Sequence, residues 1–260
     1  MKKAVIFTLG LLFFQISHAQ FDEELSESQL YDKAVDIRVY VQMLAKDKLY
    51  LINNTNKEQA AVELDYALAK MAENISDIDL NNENENIKNQ LKSIKQVWRN
   101  FSKKATQNLT NKEFTALYFQ VNTFDRLIID LAEKMKVNYQ LNLSKMESYN
   151  DIQMLRILIQ KISISYYANH LGLSKSFLHE YQKNIKSVDD FIKKNSNKFL
   201  NDPVSAGIFS DIIIDWNFFR ANILHTKQQN PKTIFSLSTT MDYKLKMIKN
   251  KYIKALNSDF

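Results

Sequence analysis

The chain has 260 residues and a formal net charge of +6, with 12 tyrosines and 16 phenylalanines but only three glycines, two prolines and no cysteine. A chain of this length buries a large core on packing alone. The missing cysteine excludes disulfides and a lipoprotein anchor, and the scarcity of turn residues excludes an all-β fold. The lysines stand singly among Asn, Asp and Glu rather than in a basic stripe, which argues against nucleic acid as a partner.

Lys2 and Lys3 precede the apolar run AVIFTLGLLFF, and Ser17-His18-Ala19 follows. That order is a secretory signal peptide with cleavage after Ala19, too short in its apolar part to span a bilayer. The expectation is a periplasmic or secreted protein whose mature part carries +4 once Lys2 and Lys3 are gone. No later stretch reads as a membrane segment, because GIFSDIIIDWNFFRANI is broken by Asp211, Asp215 and Arg220.

Helical spacing of Leu, Ile and aromatic residues then recurs to the end of the chain. The first helix is expected from about Glu24 to Ile52, ending at NNTN. Ala34, Ile37, Val41, Leu44 and Leu51 form an apolar seam on it, shared by Lys48, with Arg38 beside the seam. A second helix over about 57–78 presents Val62, Tyr66, Leu68 and Ala69, and a third covers about 85–106. Thr110-Asn111 opens a fourth. From there to His170 no glycine or proline intervenes. This leaves one continuous helix of about 60 residues, roughly 90 Å long, or a break at a polar hinge near 142–145. Gly172 ends that run, and Ser174 caps a helix to about Lys194. Asp202-Pro203 opens a helix to about Lys227, and Asn230-Pro231 opens a last one to about Leu256.

The order of features repeats. Trp98 and Trp216 lie in matching contexts, IKQVWRNF and IIIDWNFF, and Lys46 and Lys161 end matching apolar runs. The expected fold is therefore all-α, with two up-and-down four-helix bundles end to end sharing a long central helix. The division is 1–19 for the signal peptide, 20–141 for the first bundle and 142–260 for the second.

The stretch VDIRVYVQMLAKDKLYL, residues 35–51, resembles the first helix of the type IV pili chemotaxis transducer N-terminal domain, found in PilJ-like receptors and related to NarX-type nitrate sensors. Arg38, Gln42 and the Ala45-Lys46 pair fall on the arginine, glutamine and Ala-Lys of that family's motif. The stretch AAVELDYALAKMAENISDI and the Trp98 helix resemble its second and third helices. A second copy begins near Met146, with Met154-Leu155 and Lys161 on motif positions. The motif's second arginine falls at Met43 in the first copy. In the second copy the arginine positions carry Gln153 and Leu158, with Arg156 displaced. The resemblance implies a sensor-like binding protein that takes a small anion such as nitrate or nitrite, or relays to a receptor or envelope partner protein. It places Arg38, Gln42 and Lys46 in the site, with Gln153, Arg156 and Lys161 as second-copy counterparts, and a homodimer whose two-fold interface holds the anion.

Read from the residues, Arg38 either pairs with a carboxylate on a neighbouring helix or holds an oxyanion in its planar fork. The alternative function is a structural rod of the cell envelope with no ligand. Trp98, Trp216, Tyr166-Tyr167 and Phe218-Phe219 read as core, and Lys46 and Lys161 as the rim of each bundle. His170, His179 and His225 lack a Glu three residues before them, and no metalloprotease, phosphate-loop or nucleophile-elbow motif is present. Neither catalysis nor a cofactor is expected. A weak metal site where His170 and His179 flank Gly172 is the alternative to plain helix-end histidines.

Overall fold

A computed structural model describes residues 25–141, 143–224 and 230–257, with the side chains of 143–145, 256 and 257 left out. The expected signal peptide, Asn142 and His225 lie outside the described residues. Among those described there are eight α-helices: α1 (Glu27–Ile52), α2 (Lys57–Leu80), α3 (Glu85–Ala105), α4 (Asn111–Asn138), α5 (Leu143–His170), α6 (Lys175–Leu200), α7 (Ala206–Leu224) and α8 (Pro231–Asn257). None is long and apolar enough to cross a membrane. The fold is all-α.

Local chemistry sets most helix starts. Ser26 caps α1 in a reciprocal box: Gln29 N–H donates to its hydroxyl at 3.3 Å while Ser26 N–H donates to the Gln29 side chain at 2.7 Å. Thr110 and Glu113 repeat the device at α4. Asn84 and Asn230 accept from the first free amides of α3 and α8. Asp202 does the same for Val204, at 2.9 Å, but its carbonyl begins a separate turn, so α7 starts at Ala206 instead of Pro203.

The long central helix is absent. α4 stops at Asn138, and Gln140 takes a left-handed conformation (φ 49) while Leu141 N–H folds back onto the Lys136 carbonyl. Such a closure usually employs glycine; here a glutamine performs it, just before the polar hinge expected near 142–145. α4 and α5 are separate helices of 28 residues each.

With the rod broken, the two halves fold beside one another. α1 packs on α2 and α4, and α3 on α4 and more lightly on α2, closing one ring of four. α5, α6, α7 and α8 close a second ring in the same order. The rings join where α1 lies along α5. Tyr31 meets Tyr149 and Asn150, Asp36 meets Gln153, and Tyr50 meets Ser163 and Tyr167, so the two helices run parallel along their lengths. Lateral pairing therefore replaces the expected end-to-end arrangement. α1, touched by α2, α4, α5 and α8, is buried almost all round from Leu30 to Tyr50.

One continuous apolar core runs through both rings. Phe101 stacks on Phe124 in the first and Phe199 on Phe209 in the second. Trp216 is buried with its indole N–H donating to Asp189, whereas Trp98 is only partly covered. Phe219 is core but Phe218 is exposed. On α2 the buried face is Ala60, Leu64, Ala67 and Met71, and Val62 and Tyr66 point outward.

The two glycines of the described chain give a stability test. Gly172 closes α5 with φ +67, where a side chain is strained whatever the space, whereas Gly207 is helical with open space around a built Cβ. Gly172→Ala is expected to cost about 1–2 kcal/mol and Gly207→Ala to add roughly 0.5–1 kcal/mol. Urea unfolding measures both; shifts of the same sign would contradict this account.

Candidate functional site

Arg38 and Arg156 occupy the same place in the two rings. Arg38 Nε donates to Asp125 of α4 at 2.8 Å, and Arg156 Nε donates to Asp242 of α8 at 2.9 Å; the partners lie 87 and 86 residues further on. The flanking sequences, IRVYVQ over 37–42 and LRILIQ over 155–160, match position by position at an offset of 118 (156 minus 38). Arg156 is thus the counterpart of Arg38 and is not displaced. Gln160, not Gln153, is the counterpart of Gln42. Both glutamines are wholly buried, and their amides have no hydrogen-bond partner among the described residues.

The two arginines differ in their second shell of charge. Arg156 is fully enclosed: Nη2 adds a second bond to Asp242 at 3.3 Å, and Nη1 donates to Asp36 of α1 at 2.8 Å and to Gln153 at 2.9 Å. Lys249 of α8 donates to Asp32 (2.8 Å) and Asp36 (3.1 Å), and Tyr149 donates to Asp32 at 2.7 Å. Three helices from the two rings are tied in one buried ionic cluster. Burial alone raises the Asp36 carboxyl, but Lys249 and Arg156 outweigh it and hold it down at about 2. Asp32 moves upward through burial and the charge of Asp36, against Lys249. Burial works against the cationic form of Arg156, yet Asp242 and Asp36 raise its pKa on balance.

Around Arg38 the cluster is replaced by space. A cavity of about 210 Å³ adjoins it, lined among others by Tyr31, Val35, Ala132, Gln153 and Met154. At the offset of 118, Met154 stands where the first ring has Asp36. At the 117 that relates Asp125 to Asp242, Ala132 stands where the second ring has Lys249. At Arg156 that carboxylate and that lysine are present, with a cavity of about 510 Å³ reaching Arg156 and Asp242 from the α2–α8 side; the Arg38 site has neither. Lys161 reaches Asp125 at 3.5 Å, so Arg38 and Lys161 share one carboxylate, an excess of one positive charge. Glu133 and Lys136 at the cavity rim pair with each other.

Lys46 is no rim residue. It is completely buried, donating to Glu63 at 2.9 Å and Thr239 at 3.1 Å with its ammonium 4.3 Å from the centre of the Phe235 ring. Burial opposes its charge, but Asp47 and Glu63 raise its pKa on balance. Asp47, 3.3 Å from Lys46, accepts no hydrogen bond among the described residues, and burial pushes its carboxyl well up. Lys48, also buried, donates to the Gln107 carbonyl.

The structure thus unites Arg38 with Lys161 through Asp125, places Arg156 and Gln153 in a separate salt-bridged cluster whose Gln153 also borders the Arg38 cavity, and puts Lys46 on a third network. Sequence reading missed Asp36, Asp125, Asp242 and Lys249. The hexapeptide match around the arginines was the available signal for the register, and for the distant carboxylates there was none. His170 stacks beside Tyr166 and Tyr167, and no cluster of three or more His, Asp or Glu fit for a metal occurs among the described residues. No family model matches the chain, and no characterised protein or solved structure does either.

Two consequences are measurable. Arg156→Met strands Asp242, which has no other cationic partner among the described residues, leaves Asp36 only Lys249 and Gln153, and should cost about 3–5 kcal/mol. Arg38→Met leaves Asp125 its Lys161 and should cost roughly 1 kcal/mol or less; equal losses in denaturant unfolding would refute the distinction. Asp47, raised in the fold, keeps its full contribution below the unfolded value near 3.9 and loses it as pH rises through the folded pKa. Asp47→Asn, which mimics the protonated acid, should therefore gain on wild type progressively from pH 4 to pH 8. A pH-independent difference in unfolding free energy would show that Asp47 is not so raised.

Proposed function

We propose that this chain is a non-catalytic, sensor-like binding protein that takes a small planar oxyanion, of the nitrate or nitrite kind, in the cavity beside Arg38. The observation that supports this reading is the contrast between the arginines. At Arg156 the chain supplies its own planar oxyanion, the Asp36 carboxylate, to the guanidinium edge left over by Asp242. At Arg38 that carboxylate is replaced by Met154, a cavity adjoins, and two cations share one acid. A bound oxyanion completes there what Asp36 completes at Arg156, with charge-assisted bonds at a guanidinium fork.

On this reading the two halves are divergent copies of one four-helix module of the PilJ/NarX-like kind. The pairing that the resemblance assigns to two chains is met by α1 and α5 of one. Lys46 and Gln42 support the fold around the site and do not touch the ligand. The exported location and relay to a receptor or envelope partner belong to the same proposal.

A second reading, a ligand-free structural module, draws on the salt bridge Arg38 already makes with Asp125. Calorimetric titration separates the two. Nitrate, nitrite and formate are expected to bind wild type, and Arg38→Ala is expected to abolish the heat. Met154→Asp, at a site 45% exposed and tolerant of change, is expected to abolish it too, by supplying the missing carboxylate internally. No heat with wild type for any of the three anions would favour the structural reading.

A further inference from the structure

On its side away from the Arg38 cavity, α1 forms the floor of a groove walled by α2 and α8. These two helices barely touch; long side chains bridge them, such as Lys246, which donates to the Tyr66 hydroxyl at 2.7 Å. One chamber of about 510 Å³ is lined chiefly by Tyr40, Met43, Val62, Tyr66, Tyr243 and Met247. Val62 (69% exposed) and Tyr243 (66%) stand largely in solvent on its walls. A second chamber of about 460 Å³ continues along α1 and shares Tyr40 and Lys246 with the first.

The second chamber is edged by four lysines: Lys33, Lys70, Lys246 and Lys254. Lys33 is committed to Asp77 and Lys70 to Glu73. Lys246 and Lys254 have no carboxylate partner among the described residues; the Lys246 ammonium instead rests over the rings of Tyr66 (5.3 Å) and Tyr40 (6.0 Å). Asp32 and Asp36 of the seam cluster also line this chamber; with Asp242 they set three carboxylates against Arg156 and Lys249, one acid in excess, and the two uncommitted lysines exceed it. Both walls share this polarity. Val62 and Tyr66 precede Lys70 on α2, and Tyr243 precedes Lys246, Met247 and Lys254 along one face of α8. The groove is therefore apolar at one end and cationic at the other, with Lys246 at the junction.

We infer that this groove binds a single-chain amphiphile with a carboxylate head, of the fatty-acid class. The acyl chain lies between Val62, Tyr243 and Met247, and the carboxylate takes Lys246 from the Tyr66 hydroxyl, with Lys254 beside it. The volume suits such a ligand. A cationic head is repelled by the lysines, and a bare anion gains nothing from the apolar chamber. The inference is independent of the Arg38 reading: nitrate reports on one site and the amphiphile on the other, so either can fail alone.

The probe is dodecanoate below its micelle concentration, titrated calorimetrically into the full chain, with acetate and dodecyltrimethylammonium as head-only and wrong-charge controls. One-to-one binding of dodecanoate is expected, with both controls at least tenfold weaker. Lys246→Gln and Val62→Asp, at a half-exposed and an exposed wall position, should each weaken it at least tenfold while thermal unfolding stays near wild type. The inference falls if dodecanoate gives no saturable heat, if dodecyltrimethylammonium binds equally well, or if neither substitution changes the affinity. Sedimentation with phosphatidylglycerol vesicles in the absence of dodecanoate binding would assign the face to a membrane surface and overturn it as well.

Discussion

The structure depends on one buried guanidinium. Arg156 sits where α1, α5 and α8 meet and binds a carboxylate from each ring, Asp36 from the first and Asp242 from the second. Asp242 has no other cation among the described residues, Asp36 pairs with Lys249 as well as Arg156, and the buried guanidinium could not remain there without the two carboxylates. Apolar packing holds each ring closed but is non-directional. This triad, with Lys249 and Gln153 completing its bonds, fixes which way α1 lies against α5 and at what register. Replacing such a cluster by well-packed apolar residues is often neutral for stability, so its contribution here lies in the specificity of the lateral pairing.

How much of this was legible in the sequence follows from the range of each interaction. Helix starts at Glu85, Asn111 and Pro231 were legible because Asn84, Thr110 and Asn230 act on amides two or three residues away. The end of α4 was not, because Gln140 adopts a left-handed turn that its residue type does not demand. The reading of α1 as a helix with one apolar face assumed one buried side. Surrounded by four others, α1 buries Asp36, Lys46, Asp47 and Lys48 as well, and the partners of Asp36, Lys46 and Lys48 lie on other elements that the sequence of α1 does not show. Asp125 and Asp242 carried no local mark of their role for the same reason, although the arginine hexapeptides were in plain view.

The same constraint explains why the faces of α1 differ. Toward α8 the ionic cluster closes the contact with α1 and forms part of the floor of the groove, which opens because α2 and α8 are held apart above it. Toward α4 a shallower pocket survives beside Arg38. Val62 and Tyr66 of α2 point outward because Ala60, Ala67 and Met71 already fill the contact with α1.

Matching hexapeptides with unequal surroundings place the difference between the halves at two positions. Asp36 and Lys249 act as a pair: the carboxylate bridges to Arg156, and the lysine offsets its charge. Removing only one would leave the other its remaining partner, Asp32 for Lys249 or Arg156 for Asp36, but would unbalance the charge of a buried cluster. Met154 and Ala132 stand at the two corresponding places, so the pair is missing as a unit, and the Arg38 side keeps charge balance to within the one cation that Lys161 adds. Asp125 satisfies Arg38, while Met154 stands where Asp36 meets Arg156. The proposed anion site therefore needs no ligand in order to fold, and it differs from the Arg156 cluster in leaving the second oxyanion position open.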